Sequence, residues 1–271
     1  MIMDKIKAIQ DTVYSILVEF DRICQKHGLK YSLEGGTLLG AVKYSGFVPW
    51  DDDIDVIMLR KDYEAFLKIA PTELNKDFFL QSQENIKDFP LNYAKLCKND
   101  TIIKDYAYSH ITDMHHGLFI DIFPIDNCLT GKARIQRKIL GLLTSSRSRK
   151  LSLEHGNGWK NLIKALVALL PLGVLNTLIK ATCTVFNGLE TKYRYEVCNS
   201  TERFDPLDAS IYDDHVQMSF RDGQYPVVSR YDDFLKSRFG DNYMNTLPPP
   251  EKRKISHFHK IEIGGVKYEE Q

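Results

Sequence analysis

The 271-residue chain has no CxxC pair, and its five cysteines, at positions 24, 97, 128, 183 and 198, are odd in number and far apart. That spacing excludes a zinc ribbon or a disulfide framework and points to reduced thiols. Net charge is also missing, because 36 basic residues balance 36 acidic ones. Global charge therefore gives no pull toward nucleic acid, and no nucleic-acid partner is expected. No apolar run reaches the roughly 20 residues that a bilayer-spanning helix needs. The longest uncharged stretch, 165–179, is interrupted by Pro171 and Gly173. The N-terminus lacks the continuous apolar stretch of a leader, since Asp4, Lys5 and Lys7 open it. With 43% apolar and 27% charged residues, the chain is neither disordered nor collagen-like. A cytoplasmic globular protein is expected, with surface contact to a membrane left open.

Ile6, Ile9, Val13, Ile16, Leu17, Phe20 and Ile23 recur at helical spacing, which predicts an amphipathic helix closed by Gly28. A short strand over 30–33 leads into Glu34-Gly35-Gly36-Thr37 and a second helix over about 37–42. A strand over 54–58 and a helix over about 62–69, ended by Pro71, come next. The region 78–125 reads mainly as strands. Residues 127–153 then hold seven bases and no acid, and 161–189 carry only Lys164 and Lys180 among apolar side chains. The apolar stretch reads as helical and broken near Pro171. The fold expected is α/β (α+β), a mixed sheet flanked by helices with a helical insertion. Its parts are a catalytic core over 1–126, the basic and apolar insertion over 127–205, and a segment over 206–271 that completes the catalytic domain.

Chemistry concentrates in Asp51, Asp52, Asp53 and Asp55. Side chains alternate along a strand, so Asp53 and Asp55 share a face roughly 7 Å apart. Asp51 can join them, whereas Asp52 points elsewhere if the strand begins early. Converging carboxylates repel one another, and the nearest bases in sequence are Arg60 and Lys61. A divalent cation would relieve that repulsion, and Mg²⁺ prefers carboxylate oxygens with substrate phosphates. Asp121 is the single charge in the otherwise apolar run 118–123. A carboxylate so placed calls for a partner or a metal unless it faces solvent at a strand end. Gly35-Gly36-Thr37 ahead of a helix lets backbone approach a phosphate, with free N–H groups at the helix start.

A glycine turn opening a helix, an acid-x-acid pair on the next strand and a third acid on a later strand resemble the nucleotidyltransferase active site. The residues Gly36-Thr37-Leu38-Leu39-Gly40-Ala41-Val42 and Gly46-Phe47-Val48-Pro49-Trp50-Asp51-Asp52-Asp53-Ile54-Asp55-Val56 resemble the LicD phosphotransferase family. So do 117–126 and Phe239-Gly240-Asp241-Asn242-Tyr243-Met244, although Asn242 interrupts the family's usual Gly-Asp-Tyr-Met. The likeness covers about 30–126 and 219–260 and fades through 127–205. It implies Mg²⁺-dependent (or Mn²⁺-dependent) transfer of phosphocholine from CDP-choline to a bacterial glycan of teichoic acid or lipopolysaccharide type, with release of CMP. By resemblance, Asp53 and Asp55 are metal ligands and Asp121 is a third ligand or base. Gly35, Gly36 and Thr37 then lie beside the donor phosphates. Fukutin-type relatives use CDP-ribitol, so a CDP-polyol donor or a nucleotidyl transfer on the same fold is an alternative. A non-catalytic membrane-surface scaffold is another.

Lys95, in the apolar run 93–96, is a candidate phosphate partner, or a lysine snorkelling from a sheet edge. Choline is a quaternary ammonium held by aromatic faces. Trp50 is the first candidate for that contact, followed by Tyr44, Phe47, Tyr106 and Tyr108. His115-His116 and His257 with His259 read as phosphate contacts or solvated groups before zinc ligands. The basic and apolar stretch over 132–189 suggests peripheral contact with an anionic membrane carrying a lipid-linked glycan acceptor.

Overall fold

A computed structural model describes residues 2–104, 108, 110–129, 131–151, 159–198, 205–245 and 260–269. The chain opens with α1 (Ile2–His27), β1 (Ser32–Leu33), α2 (Gly35–Tyr44), β2 (Asp55–Leu59) and α3 (Arg60–Glu73). It continues through β3 (Phe78–Gln81), β4 (Ala94–Lys98), β5 (Thr101–Ile103) and β6 (Phe119–Cys128). The helices α4 (Ala133–Lys150), α5 (Trp159–Val167) and α6 (Leu172–Thr184) follow. Then come β7 (Tyr193–Tyr195), β8 (Leu207–Asp208), β9 (His215–Phe220), β10 (Gly223–Val228), α7 (Tyr231–Phe239), β11 (Lys260–Ile263) and β12 (Val266–Glu269). The result is a mixed α+β fold.

The main sheet runs β1-β2-β6-β4-β3, and β7 with β8 continue it from the far end of β6. Strands β2 and β6 are parallel, while β4 runs antiparallel to β6. The apolar stripe of α1 does what its spacing predicts: Ile9, Val13, Ile16, Leu17, Phe20 and Ile23 are buried against the sheet. Phe20 meets Phe66 of α3 and Tyr31 at ring-centroid distances of 4.8 Å each. Gly28 closes α1 with φ +65°.

Two local readings need correction. Helix α3 runs through Pro71 to Glu73 instead of stopping before it. Proline deletes one N–H and crowds one carbonyl, which the last turn tolerates, and the Leu74 N–H still donates to the Ala70 carbonyl at 2.9 Å. Arg60 is also no neighbour of the acidic run. It begins α3 beyond the far end of β2 and grips the fully buried Asp126 through two bonds of 2.8 and 2.6 Å.

Helices α4 and α6 pack together over a second buried cluster that includes Cys128, Leu140, Leu143, Leu175, Ile179 and Tyr195. Pro171 separates α5 from α6 and stands at the N-cap of the latter. Here the basic stretch departs from the expected outward patch. Arg147 is 1% exposed, donating to the Pro90 carbonyl and, at 3.2 Å, to Asn176 Oδ1. Its place in the helix period puts it among the inward residues Leu140 and Leu143.

Candidate active site

Strand pairing builds the site. Asp55 of β2 lies opposite Asp121 of β6, Asp121 lies opposite Lys95 of β4, and Lys95 lies opposite Gln81 of β3. Residues in register share a face about 4.8 Å apart, so two acids, a lysine and an amide form one row across the sheet. Lys95 is no edge lysine. It is 3% exposed in the interior of the sheet, donates to Asp121 Oδ1, and stands 3.3 Å from the Phe119 ring centroid. It supplies the local base that Arg60 and Lys61 do not.

The glycine turn packs directly on the acids. Gly35, at φ +54°, takes a conformation that side-chain-bearing residues rarely adopt and lies against Asp55. A Cβ on Gly36 would sit 2.4 Å from Asp51 Oδ2, so the missing side chain makes room for that carboxylate. Thr37 Oγ1 accepts the Asp55 N–H at 2.9 Å and fixes the start of β2. Glu34 donates its N–H to the Asp55 carbonyl at 3.0 Å. Its buried carboxylate pairs with Arg238 of α7 at 2.8 Å.

The strand begins late, at Asp55, so alternation does not govern 51–54. Asp51, Asp52 and Asp53 each place an oxygen within 4.8 Å of the others, and Asp52, expected to point elsewhere if the strand began early, is with them. Burial pushes the Asp55 carboxyl well up, and Asp53, Asp121, Glu34 and Asp51 push it further. Asp121 is raised by burial and by Asp53, against the opposing pull of Lys95. Acids at this density are what a divalent cation relieves, and their hard oxygen donors suit Mg²⁺.

The model for the LicD/FKTN/FKRP nucleotidyltransferase domain matches residues 28–137, which hold every residue of this row. Lipopolysaccharide cholinephosphotransferase LicD of Haemophilus influenzae is 28% identical over 269 residues, covering 92% of this chain and 94% of that protein. The chain carries a nucleotidyltransferase domain of the LicD type. It is a phosphotransferase. An uncharacterized Rickettsia typhi protein matches at 37% identity over 60 residues, 22% of this chain and 19% of its own. Another, from Rickettsia prowazekii, matches at 35% over 60 residues, 22% of this chain and 23% of its own.

In this LicD-type domain Trp50 is half-buried at the head of the acidic run. Phe47 packs on Phe220 at 5.0 Å between centroids, and Arg221 stacks over it at 5.9 Å. Tyr44 is exposed beneath Lys43. Tyr108 is half-buried and within electrostatic reach of both Asp121 and Arg147, whereas Tyr106 lies outside the described residues. The His115 Nδ1 accepts the Gly117 N–H at 2.9 Å, and its ring stacks on Phe79, which commits it to the loop before β6. His257 and His259 lie outside the described residues.

Glu34 and Arg238 escape a reading of the sequence as site residues. The signals were adjacency alone: Glu34 precedes the glycine pair, and Arg238 precedes the Phe239-Gly240-Asp241 motif. That motif serves as a clasp. Gly240 ends α7 at φ +87°, and the buried Tyr243 donates to Asp232 Oδ1 at 2.9 Å. Asn242 lies in the turn between them.

Proposed function

We propose that this chain transfers phosphocholine from CDP-choline to a hydroxyl of a lipopolysaccharide-type glycan, with release of CMP. The observation that carries the reading is the row Asp55, Asp121 and Lys95, lying inside the matched nucleotidyltransferase domain. The nearly full-length likeness to a lipopolysaccharide cholinephosphotransferase supports the donor and acceptor classes.

Asp53 and Asp55, with Asp51 beside them, would hold Mg²⁺ or Mn²⁺. When bound, that ion supplies charge neutralisation at the donor phosphates. The chain's own residues do the rest. Thr37 and the Gly35-Gly36 turn set the position of Asp55 and Asp51. Lys95 engages Asp121 Oδ1, keeping the carboxylate ionised and oriented so that Oδ2 can take the acceptor hydroxyl proton. Burial makes Asp121 a stronger base than an ordinary carboxylate, and 17% of its side chain remains open to solvent. Trp50 offers an aromatic face to the choline cation.

The test is release of CMP from CDP-choline, with a soluble lipopolysaccharide oligosaccharide as acceptor and CDP-ribitol as the competing donor. Asp121→Asn is expected to lower the rate by roughly 10²–10⁴-fold, as loss of a general base does. Asp53→Asn is expected to abolish Mg²⁺-dependent CMP release. Equal turnover of the two donors, transfer of the CMP moiety itself, or near-normal rates in both variants would overturn the reading.

A further inference from the structure

We infer that α4, α5 and α6 form a docking surface for an anionic membrane. Of the nineteen large hydrophobic side chains that stand exposed among the described residues, eleven fall between Ile135 and Leu189. Single exposed apolar residues are ordinary, but a concentration of this kind marks an interaction face. Leu162, Leu166 and Leu169 are 64%, 59% and 77% exposed.

Helix α6 is apolar on two sides. Leu175, Ile179 and Cys183 point into the second core, while Val174 and Leu178, four residues apart, and Val185 just past the helix end stand exposed. A helix with its inner stripe already buried has no folding reason for an outer one. Helix α4 adds Ile135 and Ile139 beside the exposed Arg134 and Lys138.

Charge selects the occupant. Between positions 127 and 189 the sequence has ten bases and a single acid, Glu154; Arg147 is buried and Lys180 pairs with Glu64 and Glu84, and the other bases keep the stretch positive. A second copy would bring the same positive face and be repelled. An anionic lipid surface attracts it, with apolar side chains entering the interfacial layer between the bases. No helix among the described residues is long and apolar enough to cross the bilayer, so the contact is peripheral.

The face is tied to the site. Arg147 of α4 holds the Pro90 carbonyl in the segment leading to β4, the strand of Lys95. Tyr108 feels the charges of both Asp121 and Arg147. That a docked site would meet a lipid-linked acceptor rests on the proposed reaction; the docking itself does not.

The experiment is co-sedimentation of the full chain with phosphatidylcholine vesicles, with and without phosphatidylglycerol, at low and high salt. Two variants are compared: Arg134→Glu/Lys138→Glu and Leu166→Ser/Leu169→Ser. Each base near an anionic surface is worth roughly fivefold in partitioning. Wild type is expected to pellet with the phosphatidylglycerol vesicles in a salt-sensitive way. Each variant should partition at least about tenfold less, with its melting temperature kept. Absence of pelleting by wild type, or equal pelleting by the variants, overturns the inference. So does a wild-type dimer that the leucine variant makes monomeric. The assay contains neither donor nor acceptor, so its failure and that of the phosphocholine assay are read separately.

Discussion

Asp55 sits where burial and four neighbouring carboxylates all favour its protonated form. Folding therefore raises its pKa above the unfolded value. The native state binds this proton more tightly, so the stability involved is present at low pH and is lost as pH rises past the ordinary carboxylate range. Asp55→Asn removes the charge and almost no volume. Without divalent cations its melting temperature at neutral pH is expected to exceed that of wild type by about 2–4 °C, roughly the shift that 1 kcal/mol produces in a chain of this size. The gap should close toward pH 4, and Mg²⁺ should raise the melting temperature of wild type more than that of the variant. Thermal scans against pH and Mg²⁺ check this, and a variant melting below wild type throughout would refute it. Asp55 was legible in the sequence as one of four crowded carboxylates, and Asp121 because an acid inside an apolar strand needs a physical reason. The seat of Lys95 was not, since an isolated lysine in a short apolar run fits an edge and an interior strand equally well. Only the pairing of β4 with β6 on one side and β3 on the other decides between them.

Among the elements, α7 illustrates what local periodicity leaves out. Its Arg238 side chain is buried between Glu34, 204 residues away in the chain, at 2.8 Å and Glu196 at 3.7 Å. Replacing the cation strands two buried acids. Arg238→Met is expected to cost about 3–5 kcal/mol in urea unfolding, the usual penalty for breaking a buried pair from one side. Adding Glu34→Gln should restore part of the loss, and a cost under about 1 kcal/mol would show the pair to be incidental. The same limit explains Pro71, where a breaker read from sequence falls in the last turn and does no harm. Helix α1, with seven apolar residues at helical spacing, and the strands around Asp55 and Asp121 were readable because each carries a strong one-dimensional pattern. Contacts between distant segments carry no such pattern.

For the whole molecule, the decisive fact is that two buried clusters share one strand. The first half of β6 carries Asp121 in the main core, and its second half carries Cys128 into the core under α4 and α6. The grip of Arg60 and Asn187 on Asp126 lies between them. Leu140→Ala opens a cavity in the second core, worth about 2–5 kcal/mol. If the clusters open independently, amide exchange in α4 and α6 should speed by about 30-fold or more while β2 and β4 keep their protection. Equal acceleration everywhere would mean that the two cores unfold as one.

The parallel pairing of Asp55–Leu59 with Asp121–Ile125 has a consequence for heredity. The sixty-odd residues between those strands contain surface turns where a codon can be gained or lost with little effect. Within either five-residue run, a single inserted codon would slip the register by one and turn the downstream side chains to the opposite face. An insertion just before Asp121 would part it from Asp55 and Lys95 together, and no single later substitution could bring both back. Asp55 and Asp121 aside, these positions are therefore where the gene should tolerate exchange of letters but not a change of length.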